Sequence, residues 1–317
     1  MESELVGRVV LSGSPAPGRW VRLGTSRGPV ELHLRETEGP GPGAETAVYL
    51  HGLAGSATNW TDLAELLAVR VRGVAVDLPG FGRSEPPGWF DYSGAQHAEV
   101  VVRLLEELDA GAVHLFGNSF GGAVAVLVAA RRPDLVASVT LVSPAVPDLR
   151  PDPRRISDPR IPLVRLPLVG PVVRRRLAAV TPDQRAQQLL ALCFAEPEAI
   201  SPGYLQLAVE EFRERAGFAW AEVALGRTAT ELMRSWVWPP WRSMWLLLPE
   251  VTAPSLVVWG SADRVLDVRK APRTARALPR GRLLVLPRTG HVAQMERPRM
   301  LAAGALGMLR EVEAGRW

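Results

Sequence analysis

The chain has 317 residues, 47% of them hydrophobic and 22% charged, with 29 Gly and 28 Pro; this globular composition excludes disordered, collagen-like and coiled-coil classes and predicts many turns. The net charge is only +4 and every basic residue except Lys270 is arginine, which is no footprint for a nucleic-acid partner without a clustered basic face. A single cysteine, Cys193, cannot form an intrachain disulfide, the acidic start Met1-Glu2-Ser3-Glu4 lacks the basic and apolar regions of a signal peptide, and no apolar run nears the ~20 residues of a membrane span, so a cytoplasmic protein with no membrane span is expected.

In chain order, Val30–Leu34 alternates apolar and polar residues and reads as a strand, and Pro40-Gly41-Pro42-Gly43 is a turn. Thr46–Leu50 is a short apolar run ending at His51-Gly52, the pattern of a buried strand. Leu63–Val69 reads as helix, and Gly73–Asp77 is a second apolar run, stopped by Pro79-Gly80. Ala95–Leu108 has helical spacing with Glu106 and Glu107 on its polar side. Val113–Phe116 is a strand running into Gly117-Asn118-Ser119, and Phe120–Arg131 a buried helix ended by Pro133. Ser138–Val142, Ser255–Trp259 and Arg282–Leu286 repeat the strand pattern. Val268–Leu278 and Arg299–Val312 read as helices. Short apolar strands alternating with helices predict an α/β fold with a mostly parallel central sheet flanked by helices on both faces.

The stretch from Val146 to Leu248 breaks this rhythm. It opens on the Pro/Arg-rich segment Pro147–Pro171 and continues as short helices, Pro182–Phe194, Gly203–Arg215 and Arg227–Val237. The two strands after Val251 are too few to build a core of their own. Residues 146–248 are therefore expected to be a helical insertion in a single core domain made of residues 1–145 and 249–317.

Gly117-Asn118-Ser119-Phe120-Gly121 has the form G-x-S-x-G between a predicted strand and a predicted helix. A serine on such a sharp turn sits in a strained backbone, and the flanking glycines let strand and helix approach closely. The helix N-terminus offers free N–H groups to a developing anion. Ser119 is thus the candidate nucleophile.

With this block, His51-Gly52-Leu53, Asp77-Leu78-Pro79-Gly80-Phe81-Gly82-Arg83-Ser84 and Gly290-His291, the sequence resembles the cap-bearing serine hydrolases of the α/β-hydrolase superfamily over Val30–Ser143 and Ser255–Val312. The resemblance implies an α/β-hydrolase fold with the insertion as a helical cap. It implies His291 as general base and acid and, in the chain order Ser…Asp…His, Asp263 as the carboxylate that orients it. Asp148, just after Ser138–Val142, is the rival for that role, because some members take the acid from that strand. Asp267 reads as a helix cap. The resemblance also implies an oxyanion hole made by the backbone N–H groups of Leu53 and Phe120. His51 is expected to brace its loop, and Asp77–Ser84 to be structural. His97 is expected to lie far from any strand end.

A serine nucleophile implies acyl chemistry, and a carboxylic-ester hydrolase acting on small apolar esters is the leading reading. Trp220, Trp236, Trp238, Trp241 and Met244, with Phe212, Phe218 and Met233, are candidates for an apolar pocket lining, although packing of the insertion against the core would use most of them. The basic run Arg174-Arg175-Arg176 reads as a solvated helix face. The alternative is a C–C bond hydrolase of ring-fission diketones, which Gly117-Asn118-Ser119 and Gly290–Glu296 also resemble. Against it, position 292 is Val where that group carries Trp, and the cationic residue for a carboxylated substrate would have to be Arg174 or Arg242. A non-catalytic binding scaffold usually lacks a triad member, and here all three candidates are present. Scarce, unclustered His and Cys and the absence of nucleotide-binding glycine motifs predict no metal and no cofactor.

Overall fold

The computed structural model describes residues 15–147, 180–237 and 243–317. Eight strands form one sheet: β1 (Gly18–Thr25), β2 (Gly28–Thr37), β3 (Thr46–Leu50), β4 (Arg72–Val76), β5 (Val113–Asn118), β6 (Val136–Val142), β7 (Ser255–Gly260) and β8 (Gly281–Leu286). Their order is β1-β2-β4-β3-β5-β6-β7-β8. β1, β2 and β4 pair antiparallel and every later pair is parallel. β3 and β5 are buried along their whole length, as parallel strands covered on both faces must be.

Helices α1 (Thr61–Leu67), α2 (Gly94–Leu108) and α3 (Phe120–Arg131) follow β3, β4 and β5. Between β6 and β7 lie α4 (Pro182–Cys193), α5 (Pro202–Ala216), α6 (Ala221–Val237) and α7 (Met244–Leu247). After β7 come α8 (Ala271–Ala277), α9 (Ala293–Glu296) and α10 (Pro298–Glu313). One face of the sheet packs against α2, α3 and α8 through Leu104, Val124 and Ala275. The other packs against α1 and α10 through Trp60, Leu63 and Leu301. Each fully buried aliphatic side chain contributes roughly 1.5–3 kcal/mol, so the two layers rather than helix propensity hold α3, which is apolar nearly all round.

The differences from the sequence reading lie at edges and ends. β1 has no strong strand signature, because an edge strand alternates exposed Arg19, Trp20 and Arg22 with few buried residues. The expected helix Val268–Leu278 is a 3-10 turn, Val268–Lys270, followed by α8, with Pro272 in the first turn of α8. Asp267 caps that turn through the Arg269 N–H. α6 begins at Ala221, six residues earlier than the pattern from Arg227 suggested. Residues 148–179, which include all but the first residue of the Pro/Arg-rich segment, Asp148 and Arg174-Arg175-Arg176, lie outside the described residues, as do Trp238, Trp241 and Arg242. Among the described residues no helix is long and apolar enough to cross a membrane.

Candidate active site

Ser119 occupies the junction of β5 and α3 with φ +52° and ψ −115°. Such a backbone costs a non-glycine residue about 1–3 kcal/mol and persists only where its surroundings over-determine it. The surroundings here are glycine-dependent. A side chain at Gly121 would put its Cβ 2.2 Å from the Leu50 carbonyl oxygen, and one at Gly117 would lie 2.4 Å from the Gly121 carbonyl oxygen. β3, β5 and α3 therefore meet closer than any other residue allows. A serine at a helix N-cap ordinarily spends its Oγ on a backbone N–H of the first turn. Ser119 makes no such bond, so its hydroxyl is left facing the cavity described below.

His291 follows β8 in the Thr289-Gly290-His291 loop, which the end of β7 holds through the Ala262 N–H donating to the Thr289 carbonyl at 2.9 Å. Its Nδ1 lies 2.9 Å from Asp263 Oδ2, and the Asp263 side chain is wholly buried. The other carboxylate oxygen of Asp263 accepts the N–H groups of Val265 (2.8 Å) and Leu266 (2.9 Å). The carboxylate is thus fixed on both sides, and the imidazole presents Nε2 to the cavity. The Ser119 hydroxyl makes no hydrogen bond among the described residues, as is common before substrate binds.

Gly52 sits against the serine: a Cβ at this position would lie 3.2 Å from Ser119 Cβ. Leu53 is therefore next to Ser119, as is Phe120 at the first position of α3. His51 braces this loop. Its Nε2 accepts the Leu78 N–H at 3.0 Å and its Nδ1–H donates to the Gly52 carbonyl at 2.7 Å. That arrangement requires the neutral ring, and complete burial pushes its pKa down to about 4. Asp77 receives the Ala57 and Arg83 N–H groups and pairs with buried His33 at 2.8 Å; burial works against its ionisation, but the His33 hydrogen bond and these donors hold its pKa below the usual carboxylate range. His97 corrects the expectation. It lies behind the Ser119 turn with its ring centroid 4.9 Å from that of Phe120 and its Nε2 near the Pro79 carbonyl, because α2 packs directly on α3 across the buried Val101 and Val124 layer.

Ser119, His291, Gly52 and Leu53 open onto a cavity of about 440 Å³, within the usual range for small-molecule sites. Its apolar wall is Leu189, Leu190, Leu207, Phe212, Phe218 and Met295. Trp220, Trp236 and Met244 do not line it, against expectation. They are half-buried against the main core, and Trp220 stacks flat on the back of Phe218 at 5.1 Å. α4 and α5 face the cavity, and these two tryptophans serve packing. Cys193 also borders the cavity, and burial pushes its thiol up to about 12, so it stays protonated near neutral pH.

Three positioning contacts were not legible in the sequence. Asn118 Nδ2 donates to the Val142 and His291 carbonyls at 3.0 and 3.1 Å, joining β6 to the histidine loop. Buried Glu296 accepts the N–H groups of Gly290, Ala195 and Glu196 at 2.5, 3.1 and 3.3 Å. Arg264, beside Asp263, donates to the Ala191 and Ala195 carbonyls near the end of α4. Only the proximity of Glu296 to the Gly290-His291 motif hinted at any of these. Among the described residues no cluster of His, Cys, Asp and Glu could hold a metal ion.

The model of the alpha/beta hydrolase fold family matches residues 48–298. The chain is 29% identical over 282 residues to the dihydrolipoyllysine-residue acetyltransferase component of the acetoin cleaving system of Pseudomonas putida, covering 88% of this chain and 67% of that protein. It is 26% identical to the 2-hydroxy-6-oxononadienedioate/2-hydroxy-6-oxononatrienedioate hydrolase of Cupriavidus pinatubonensis, covering 84% of this chain and 86% of the other. Among solved structures, a bacterial membrane phospholipase A superposes with a TM-score of 0.73 at 25% identity, over 93% of this chain and 87% of that one.

Proposed function

The chain belongs to the α/β-hydrolase family, and from that premise we propose that it is a serine hydrolase cleaving small apolar carboxylic esters, with residues 146–248 as a helical cap over a core of residues 1–145 and 249–317. Ser119 Oγ attacks the ester carbonyl carbon while His291 Nε2 takes its proton, and Asp263 stabilises the imidazolium that forms. The Leu53 and Phe120 N–H groups receive the oxyanion. The alcohol leaves with the proton from His291. Water, deprotonated by the same imidazole, then attacks the acyl-enzyme and releases the acid. Every step uses groups of the protein and water, and none calls for a cofactor or metal.

The observation that carries this reading is the unspent hydroxyl of Ser119 on a strained turn, sharing one apolar cavity with an imidazole anchored to a buried carboxylate. The similarity to a dienedioate hydrolase favours the rival C–C cleavage reading. The charges of the cavity weigh against it. Among the described residues, each lining guanidinium already has protein partners: Arg83 pairs with Glu214 at 2.9 Å, Arg215 with Glu211 at 3.4 Å, and Arg35 donates to the Ala16 carbonyl. A dicarboxylate substrate would meet more carboxylates than uncommitted cations there, and a desolvated anion without a partner is costly.

A series of p-nitrophenyl esters from acetate to palmitate, assayed with wild type and Ser119→Ala, tests the reading. Turnover that disappears in the variant is the expected result. A wild type that labels with a fluorophosphonate at Ser119, ignores every ester and cleaves a carboxylated dienone would transfer the assignment to C–C cleavage. Absence of both labelling and turnover would sink the hydrolase reading.

A further inference from the structure

The turn that carries Leu53 is unfavourable on its own. It is closed by the Gly55 N–H donating to the Gly52 carbonyl at 3.1 Å. Ala54, its third residue, takes φ +59°, in the left-handed region where glycine or asparagine is the usual occupant. An alanine stays in that region only when contacts from outside the turn hold it. On the core side those contacts come from His51. On the other side they come from α5.

Arg215 on α5 reaches the turn with both terminal nitrogens. Its NH1 donates to the Ala54 carbonyl at 2.5 Å and its NH2 approaches the Gly55 carbonyl at 3.4 Å. The Arg215 side chain is only 13% exposed, so these charge-assisted bonds work in a medium with little competing water. The guanidinium is aimed by its own helix. Glu211, one turn earlier, pairs with it at 3.4 Å, and the Phe212 ring lies 5.0 Å from its central carbon. Glu211 also accepts the Thr58 hydroxyl at 2.9 Å, on the far side of the same loop. Glu214 pairs with Arg83 in the neighbouring Asp77–Ser84 loop. One helix face, spaced at three and four residues, therefore grips both loops beside the nucleophile.

We propose that Arg215 is a positioning residue for the oxyanion hole: by clamping the Ala54 and Gly55 carbonyls it holds the left-handed turn that aims the Leu53 N–H at the reacting carbonyl. This rests on the ester-hydrolase reading above, and it makes docking of α5 a condition for the chemical step and not only a cover for the substrate. A turn released from the clamp relaxes toward a conformation alanine prefers, which rotates the donor away from Ser119. Substrate binding along Leu207, Phe212 and Phe218 does not use that donor.

The test compares wild type, Arg215→Met and Arg215→Lys in three readouts: steady-state ester hydrolysis, the rate of fluorophosphonate labelling at Ser119, and hydrogen exchange of the amides in segment 52–58. In Arg215→Met, kcat and the labelling rate are expected to fall together by about 10- to 100-fold, the scale of a displaced catalytic group, with KM within about twofold of wild type. The amides of Leu53–Gly55 are expected to exchange faster, while those of β5 and β7 keep their wild-type protection. Arg215→Lys, which keeps the charge but replaces the rigid planar fork with a compact ammonium on a flexible stem, is expected to fall between the two. Unchanged exchange in the turn overturns the proposal, as does faster exchange with unaltered kcat. A raised KM at constant kcat also overturns it, and makes Arg215 a substrate contact. Failure of the ester-hydrolase reading is told apart by wild type alone, which would then turn over no ester, whether or not Ser119 labels.

Discussion

The backbone N–H of His291 donates to the carbonyl of Cys193 at 2.7 Å, so the last residue of α4 holds the loop that presents the imidazole. The fit is close because residue 290 is glycine: a side chain there would put its Cβ 2.2 Å from that same carbonyl oxygen and 2.7 Å from the Ala195 nitrogen. With Glu296 and Arg264 gripping the same chain end, the histidine loop and the end of α4 behave as one unit.

Gly290→Ala is therefore expected to push α4 off the histidine loop. Overpacking of this kind costs roughly 1–3 kcal/mol, measurable as a lower urea midpoint with an unchanged slope. The displaced imidazole should also lower kcat by about 100-fold. Wild-type kcat in this variant would show that the loop keeps its place without α4.

Asp263→Asn keeps the shape of the site and removes the charge that stabilises the imidazolium. The expected loss is about 10³- to 10⁴-fold in kcat with little change in KM. Asp148→Asn should stay within about twofold of wild type. The reverse ranking would move the acid to the position after β6.

Acid should weaken the fold through His51. Its ring is neutral in the folded protein, with a pKa near 4 against 6.5 for a free histidine. Between those values the unfolded chain binds a proton that the folded one refuses, so stability falls as pH falls through this window and is unaffected above it. The full effect is about 3 kcal/mol. Buried His97, also pushed down to about 4, adds a similar share in the same window. Urea unfolding across the window should show the combined slope, and His51→Asn should reduce it by about half. A slope left whole by the substitution would assign it to other groups.

Much of the apolar wall of the cavity is supplied by α4 and α5. Ala208→Phe, which fills the cavity beside Leu207 and Phe212, should move the ester optimum to shorter chains and cut kcat/KM for the longest by about tenfold or more. Trp236→Phe should leave the optimum where it is. The opposite pattern would restore the tryptophans as the lining.

Much of this was legible in the chain. The short apolar runs of β3 to β7 announced a parallel sheet, since strands covered on both faces must be apolar throughout. Gly117 and Gly121 announced the turn, because a Cβ at either position would come within 2.2 to 2.4 Å of a backbone carbonyl oxygen where β3, β5 and α3 meet. β1 was missed because an exposed edge strand needs little apolar patterning. The Trp-rich segment left lining and packing both open, because a tryptophan marks burial without saying against what, and Trp220 and Trp236 prove to be half-buried against the core.

Local sequence marked Ser119 and His291 as candidates, because both stand in motifs whose backbone requirements span only a few neighbours, whereas Asp263 was singled out only by the chain order Ser…Asp…His that the resemblance implies. How they are held and what they face came from contacts between distant segments. Asn118, Glu296, Cys193 and Arg215 act on segments up to 173 residues away in the chain, and such contacts follow from how helices dock on the sheet. The same docking chose which side of α5 faces the cavity, since a helix with apolar residues on more than one side has no preferred inward face until it meets its neighbours.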